Sequence, residues 1–68
     1  MYIIIEMQTN GSQTALLPAE TRLDRLQADS VYYQKLAAAA ISTVPIHSVV
    51  MLDEHGNRID GQTYEHVS

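Results

Sequence analysis

The sequence predicts an α+β fold of order β-β-α-β-β: a four-stranded antiparallel sheet in the spatial order 2-1-3-4, with one helix lying across one face. Three observations carry that expectation. Two short runs, YIIIEMQ at 2–8 and IHSVVML at 46–52, are rich in β-branched residues and apolar on both alternating faces. Between them, a stretch from about Leu23 to Ile41 repeats its apolar positions at helical spacing. Turn-forming residues, Asn10-Gly11 and DEHGN at 53–57, stand where two hairpins need them.

Each element follows from its residues. In the first strand Ile3, Ile5 and Met7 fall on one side at period two, and Tyr2, Ile4, Glu6 and Gln8 on the other. The second strand, about Thr14 to Glu20, contains Pro18, which has no N–H for a ladder bond, so it belongs at an edge. Thr21 and Asp24 form a weak capping box for the helix, and Arg25 and Asp29 are spaced for an i,i+4 pair. Ser42-Thr43 and Pro45 end it, the proline forcing Val44 into an extended conformation. At 100° per residue Ala28, Tyr32, Leu36, Ala39 and Ala40 share the core side, opposite Gln27, Ser30 and Gln34.

The run Ala37–Ala40 therefore reads as close packing of the helix on the sheet at Ala39 and Ala40. Ala37 and Ala38 point sideways or outward, where a solvated helix more often carries Lys, Glu or Gln, so a partner contact is the competing reading. Ile46 to Leu52 is a second central strand. Arg58 to His66, interrupted by Gly61, is a polar edge strand. A single helix covers one sheet face only, and the wholly apolar face of Ile3, Ile5, Met7, Ile46, Val50 and Leu52 is expected beneath it. Tyr2, Ile4, Val49 and Met51 are then left on the open face as the candidate self-association surface of a two-fold homodimer.

Sixty-eight residues make a single domain, 1–68, which buries only about 60% of its unfolded surface. With no cysteine there is no disulfide or thiolate metal site to staple it, which leaves self-association as the common remedy. Eight acidic against four basic residues give a net charge of -4 without a basic cluster. That argues against nucleic acid as a partner and is compatible with a basic protein surface. The run YIII is interrupted by Glu6 and lacks a basic flank, so it reads as neither a secretory signal nor a membrane span. A cytoplasmic protein is the expectation.

Chemistry-bearing residues are sparse. The imidazoles are His47, His55 and His66. His55 falls in the second turn, whereas His47, Tyr64 and His66 can meet across the last hairpin as a candidate polar cluster. Paired strands bring unrelated side chains together routinely, so no metal ligand, cofactor-binding residue or catalytic residue is assigned among them. Ser48 next to His47 cannot act on it, because strand neighbours point to opposite faces. The three glycines make no phosphate-binding loop. Tyr32 lies near the core side and Tyr33 at its margin, which favours packing over a stacking platform.

EMQT at 6–9, DSVYYQKLAAAAISTVPIHSVVML at 29–52 and YEH at 64–66 resemble a group of short uncharacterised proteins from Gram-positive anaerobes and their phage-derived gene clusters. The likeness spans nearly the whole chain, and its most specific part is the tyrosine-rich helix running through LAAAA into a Pro-x-His strand. The chain departs from the group over Leu16 to Arg22, where Pro18 stands. The group carries no assigned activity, so the resemblance implies the architecture and a mobile-element setting, and no mechanism. Three function classes follow from residues and resemblance together. The leading one is a self-associating protein-interaction module without catalysis. The others are an antitoxin-like or phage-encoded inhibitor seated on a basic protein, and a small oligomeric enzyme with an interface pocket near His47, Tyr64 and His66.

Overall fold

The computed structural model describes residues 1–66. Its elements run β1 (Tyr2–Asn10), β2 (Gln13–Leu16), β3 (Glu20–Arg22), α1 (Arg25–Ala40), β4 (Ile46–Asp53) and β5 (Arg58–Glu65). The strands form one antiparallel sheet in the order β2-β1-β4-β5, with β3 also paired to β1. The α+β class, the single helix and the antiparallel sheet are as expected. The strand count is five rather than four, because the expected second strand is broken in two.

Pro18 causes the break. Met7 pairs with Leu16 and Ile4 with Glu20, so three steps along β1 face four along its neighbour. One extra residue is bulged out around the proline, which has no N–H to offer. Leu17 N still donates to Glu6 O at 2.9 Å, and pairing resumes only at Glu20. Thr21 thus belongs to β3 and cannot cap the helix. Asp24 is the N-cap without a side-chain bond, and α1 starts two residues later than expected. At the other end Ser42 N donates to Ala39 O at 3.2 Å and Val44 N to Ser42 Oγ at 3.0 Å, closing the turn before Pro45.

Both hairpins form. Gly11-Ser12 make the first turn, with Gly11 at φ 66° and Asn10 paired to Gln13. In the second, Gly56 sits at φ 83° while Asp53 Oδ1 accepts from His55 N at 2.8 Å and Asn57 N at 2.9 Å. His55 lies in that turn, as expected.

The core lies between α1 and one face of β1, β4 and β5, and it is the opposite face to the one expected. Ile4, Val49 and Met51 are fully buried with Ala28, Tyr32, Leu36 and Ala39, and Tyr2 packs half-buried against them beneath Arg25, whose guanidinium is 5.7 Å from the Tyr2 ring centre. These four residues, Tyr2, Ile4, Val49 and Met51, were the expected open-face surface; the helix covers them. The physical reason is that Glu6 and His47 share their face. The rule that the all-apolar face seeks the helix fails because these two polar groups satisfy one another and a lysine of α1 inside the core. The register Ile3↔Leu52, Ile5↔Val50, Met7↔Ser48 then places the wholly apolar side of β1 on the open face. Of the alanines, Ala39 is fully buried as expected and Ala40 is exposed, one position past the covered arc.

Candidate functional site

Two features stand out against the remaining surface: a polar cluster inside the core and the open face of the sheet. The cluster joins three elements. Glu6 of β1 and His47 of β4 are each less than a tenth exposed. Their side chains meet at 2.5 Å between Glu6 Oε2 and His47 Nε2. Lys35, from the underside of α1, reaches Glu6 Oε1 at 3.3 Å and Glu20 Oε2 at 3.8 Å. Burial raises the Glu6 pKa, but the hydrogen bonds from His47 and Lys35 and their charge outweigh it, so the carboxyl sits below its ordinary range. With Nε2–H donated to the carboxylate, His47 is left with Nδ1 buried and without a partner.

The candidate cluster of His47, Tyr64 and His66 is only partly assembled. His47 lies directly across from Tyr64, and the Tyr64 and His66 rings stack at 6.4 Å with 14° between their planes. His66, however, is turned to the end of the helix. Its Nε2 donates to Ala39 O at 2.8 Å, and its backbone N to Pro45 O at 2.7 Å. His47 works with Glu6 and Lys35 instead, residues that sequence reasoning had assigned to no site. Their signal was an acid and an imidazole each standing alone in an apolar strand. No group of three or more His, Asp or Glu converges as metal ligands among the described residues. A shallow depression of about 440 Å³ lies along Gln8, Asn10, Gln13, Thr14, Ala15 and Val44, with no titratable side chain in its lining.

The buried Tyr32 belongs to the core and not to a stacking platform. Burial pushes its hydroxyl up to about 12, with the Asp60 carboxylate adding to the effect. No helix among the described residues is long and apolar enough to cross a membrane.

The open face is apolar along its two central strands. Ile3, Ile5, Met7, Val50 and Leu52 form two adjoining rows, extended by Leu16 at 68% exposure and Ile46 at 38%. Threonine and serine frame them: Thr9 with Thr14 on one side, hydroxyl to hydroxyl at 3.0 Å, and Ser48 with Thr63 on the other, also at 3.0 Å. Charge enters from β5: Glu65 stands at its end, and the Arg58 guanidinium folds over Gly61, beside Val50.

The sheet edges differ from this face. At the middle of β5, Gly61 N donates to Asp60 Oδ1 at 2.8 Å and Gly61 O accepts from Arg58 Nη2 at 3.1 Å. Side chains thus fill backbone positions that an added strand would use. The opposite edge is interrupted at Pro18. Both are devices that discourage strand addition.

Fold and faces define a two-layer α+β protein with one sheet face left bare. Compared with known proteins, the chain matches no family model, no curated protein and no solved structure.

Proposed function

We propose that the protein is a self-associating interaction module without chemistry of its own, and that two copies pack open face to open face. The observation that carries this reading is the pair of apolar rows, Ile3, Ile5 and Met7 beside Val50 and Leu52, on a sheet face that α1 leaves uncovered. Antiparallel sheets that keep one face in water normally alternate polar outward residues. Here the outward positions of β1 are Ile3, Ile5 and Met7, and patches of this kind mark contact surfaces.

Size and charge favour a second copy as the occupant. The molecule measures 37 × 20 × 17 Å. The two longer extents cap any one face at about 740 Å², so a face-to-face contact stays below the roughly 800 Å² that each partner gives to a standard interface. Two chains of net charge -4 repel at long range, while the charged group near the middle of this face, the Arg58 guanidinium over Gly61, is of the opposite sign and already donates to Gly61 O. Packing the faces together would also enlarge a core that 68 residues can hardly fill alone.

The test is Val50→Lys, at the middle of the face opposite Ile5. Val49, beneath the helix, is unsuitable because a lysine there would unfold the chain. Light scattering after size exclusion should give a dimer for the native protein and a folded monomer, with native circular dichroism, for the variant. A Val50→Lys protein that remains a dimer of unchanged stability would show that the contact lies elsewhere.

A further inference from the structure

The chain has two asparagines, Asn10 and Asn57, each exposed and each at a hairpin, and the fold holds them in opposite ways. Asn57 is tied down twice: its backbone N donates to Asp53 Oδ1 at 2.9 Å and its Nδ2 to Asp53 Oδ2 at 3.3 Å. The residue after it, Arg58, is bulky and already paired with Leu52. Asn10 ends β1 and lines the shallow depression, where its carboxamide makes no hydrogen bond to a described residue. The residue after it is Gly11, at φ 66° with open space where a side chain would stand.

We propose that Asn10 is a site of spontaneous deamidation and that Asn57 is not. Asparagine is among the thermolabile side chains, and its loss begins with attack by the next backbone nitrogen. Gly11 N gives up its proton to solvent base and bonds to Asn10 Cγ, whose amide nitrogen leaves as ammonia. The product is a five-membered succinimide spanning the two residues. Water then adds to one of its two carbonyls. Opening one C–N bond returns an aspartate on the original main chain; opening the other leaves isoaspartate, with the main chain rerouted through the side-chain CH2. One water is consumed and one ammonia released, with no oxidant or reductant. A glycine in the following position favours the attack because no Cβ crowds the nitrogen.

Extended backbone at Asn10 keeps Gly11 N away from Cγ, so the step waits for the hairpin tip to open. The structure makes that opening cheap and local. Asn10↔Gln13 is the last rung of the β1–β2 ladder, with both residues exposed and neither in the core, and end rungs of this kind fray first. The next rung is closed by the Thr9 and Thr14 hydroxyls at 3.0 Å. Either product adds one negative charge to the net -4 of the chain. The charge falls on the helix side of the sheet, two residues from Gln8, and so stays out of the apolar rows of the open face.

Ageing the purified full chain at neutral and at mildly alkaline pH tests the proposal. Isoelectric focusing counts the acidic form, mass spectrometry of proteolytic fragments locates it, and isoaspartyl methyltransferase labels the rerouted product. The native protein should accumulate an acidic form, faster at the higher pH, with the change in the Asn10 fragment and the Asn57 fragment intact. Asn10→Gln, whose longer side chain needs a six-membered ring for the same attack, should stay unconverted over that period. The aged native protein should keep the thermal unfolding and the association state of fresh protein. The proposal is overturned if no acidic form appears, if Asn57 converts as fast as Asn10, or if Asn10→Gln gains charge at the native rate. Loss of the fold on conversion would overturn the local opening at the hairpin tip.

Discussion

Replacing Glu6 by leucine should destabilise the fold markedly, replacing His47 by leucine should do the same, and replacing both should cost almost nothing. Glu6→Leu leaves the His47 ring, only 3% exposed and already lacking a partner at Nδ1, with neither nitrogen satisfied. An unsatisfied buried group of this kind costs about 1–3 kcal/mol. His47→Leu leaves a buried carboxylate with Lys35 alone. Because Lys35 is one-fifth exposed and water reaches that side of the pair, the cost should be about 2 kcal/mol, below the range for removing one partner of a fully buried ion pair. In the double variant two leucines fill the space of two polar groups that had cancelled each other, and Lys35 keeps Glu20 at 3.8 Å. The coupling between the sites should then be about 3–4 kcal/mol, most of the sum of the singles. Urea unfolding followed by circular dichroism measures it, at one fixed protein concentration because association contributes to stability. For a domain this small each single change should lower Tm by roughly 8–16 °C. Additive costs, with the double variant as unstable as the singles combined, would refute the account of Glu6 and His47 as a mutually satisfied pair.

Two further outcomes follow from the same contacts. The Glu6 carboxyl lies below its ordinary value of 4.5 in the folded chain, so its contribution is fully present above that value and is lost as pH falls through the folded pKa; acid unfolding of Glu6→Gln, compared with the native protein, should lack that part of the decline. Ala39, fully buried against the sheet, should lose about 1–3 kcal/mol on Ala39→Leu through overpacking, whereas the exposed Ala38 should accept Ala38→Gln with no measurable change in thermal unfolding.

Much of the architecture is legible in the residues because it depends on local chemistry. Gly11, Gly56 and Pro45 place the turns, although the first turn is Gly11-Ser12, one residue later than the expected Asn10-Gly11, and the two apolar runs identify β1 and β4 as the central strands. Pro18 announces an edge. Its bulge is not legible, because the extra residue depends on where pairing resumes, and that is decided across the sheet at Ile4 and Glu20. The choice of buried face is not legible either. Summed hydrophobicity favours Ile3, Ile5 and Met7 as core, and what reverses it is a three-way contact among Glu6, Lys35 and His47, whose members are 29 and 41 residues apart from Glu6. Period-two reading ranks faces by composition and has no view of which polar residues will find one another. For that reason Tyr64 is legible as the cross-strand neighbour of His47, whereas Glu6 and Lys35, with which His47 shares its contacts, are not.

The pairing of β1 with β4 governs how the chain can reach this structure. Tyr2 lies opposite Asp53 and Thr9 opposite Ile46, so the central ladder joins residues 37 to 51 positions apart. The hairpin of β1 with β2 can form at once, but the central ladder must wait for residues 46–53. Folding dominated by such distant pairing is slow for its size. During synthesis from the N-terminus, the isoleucines of β1 remain without their β4 neighbours until residues 46–53 have emerged. The interval before β4 arrives is when this protein is most open to mispairing, and the broken β2–β3 edge is all that can shield one side of β1 in that time.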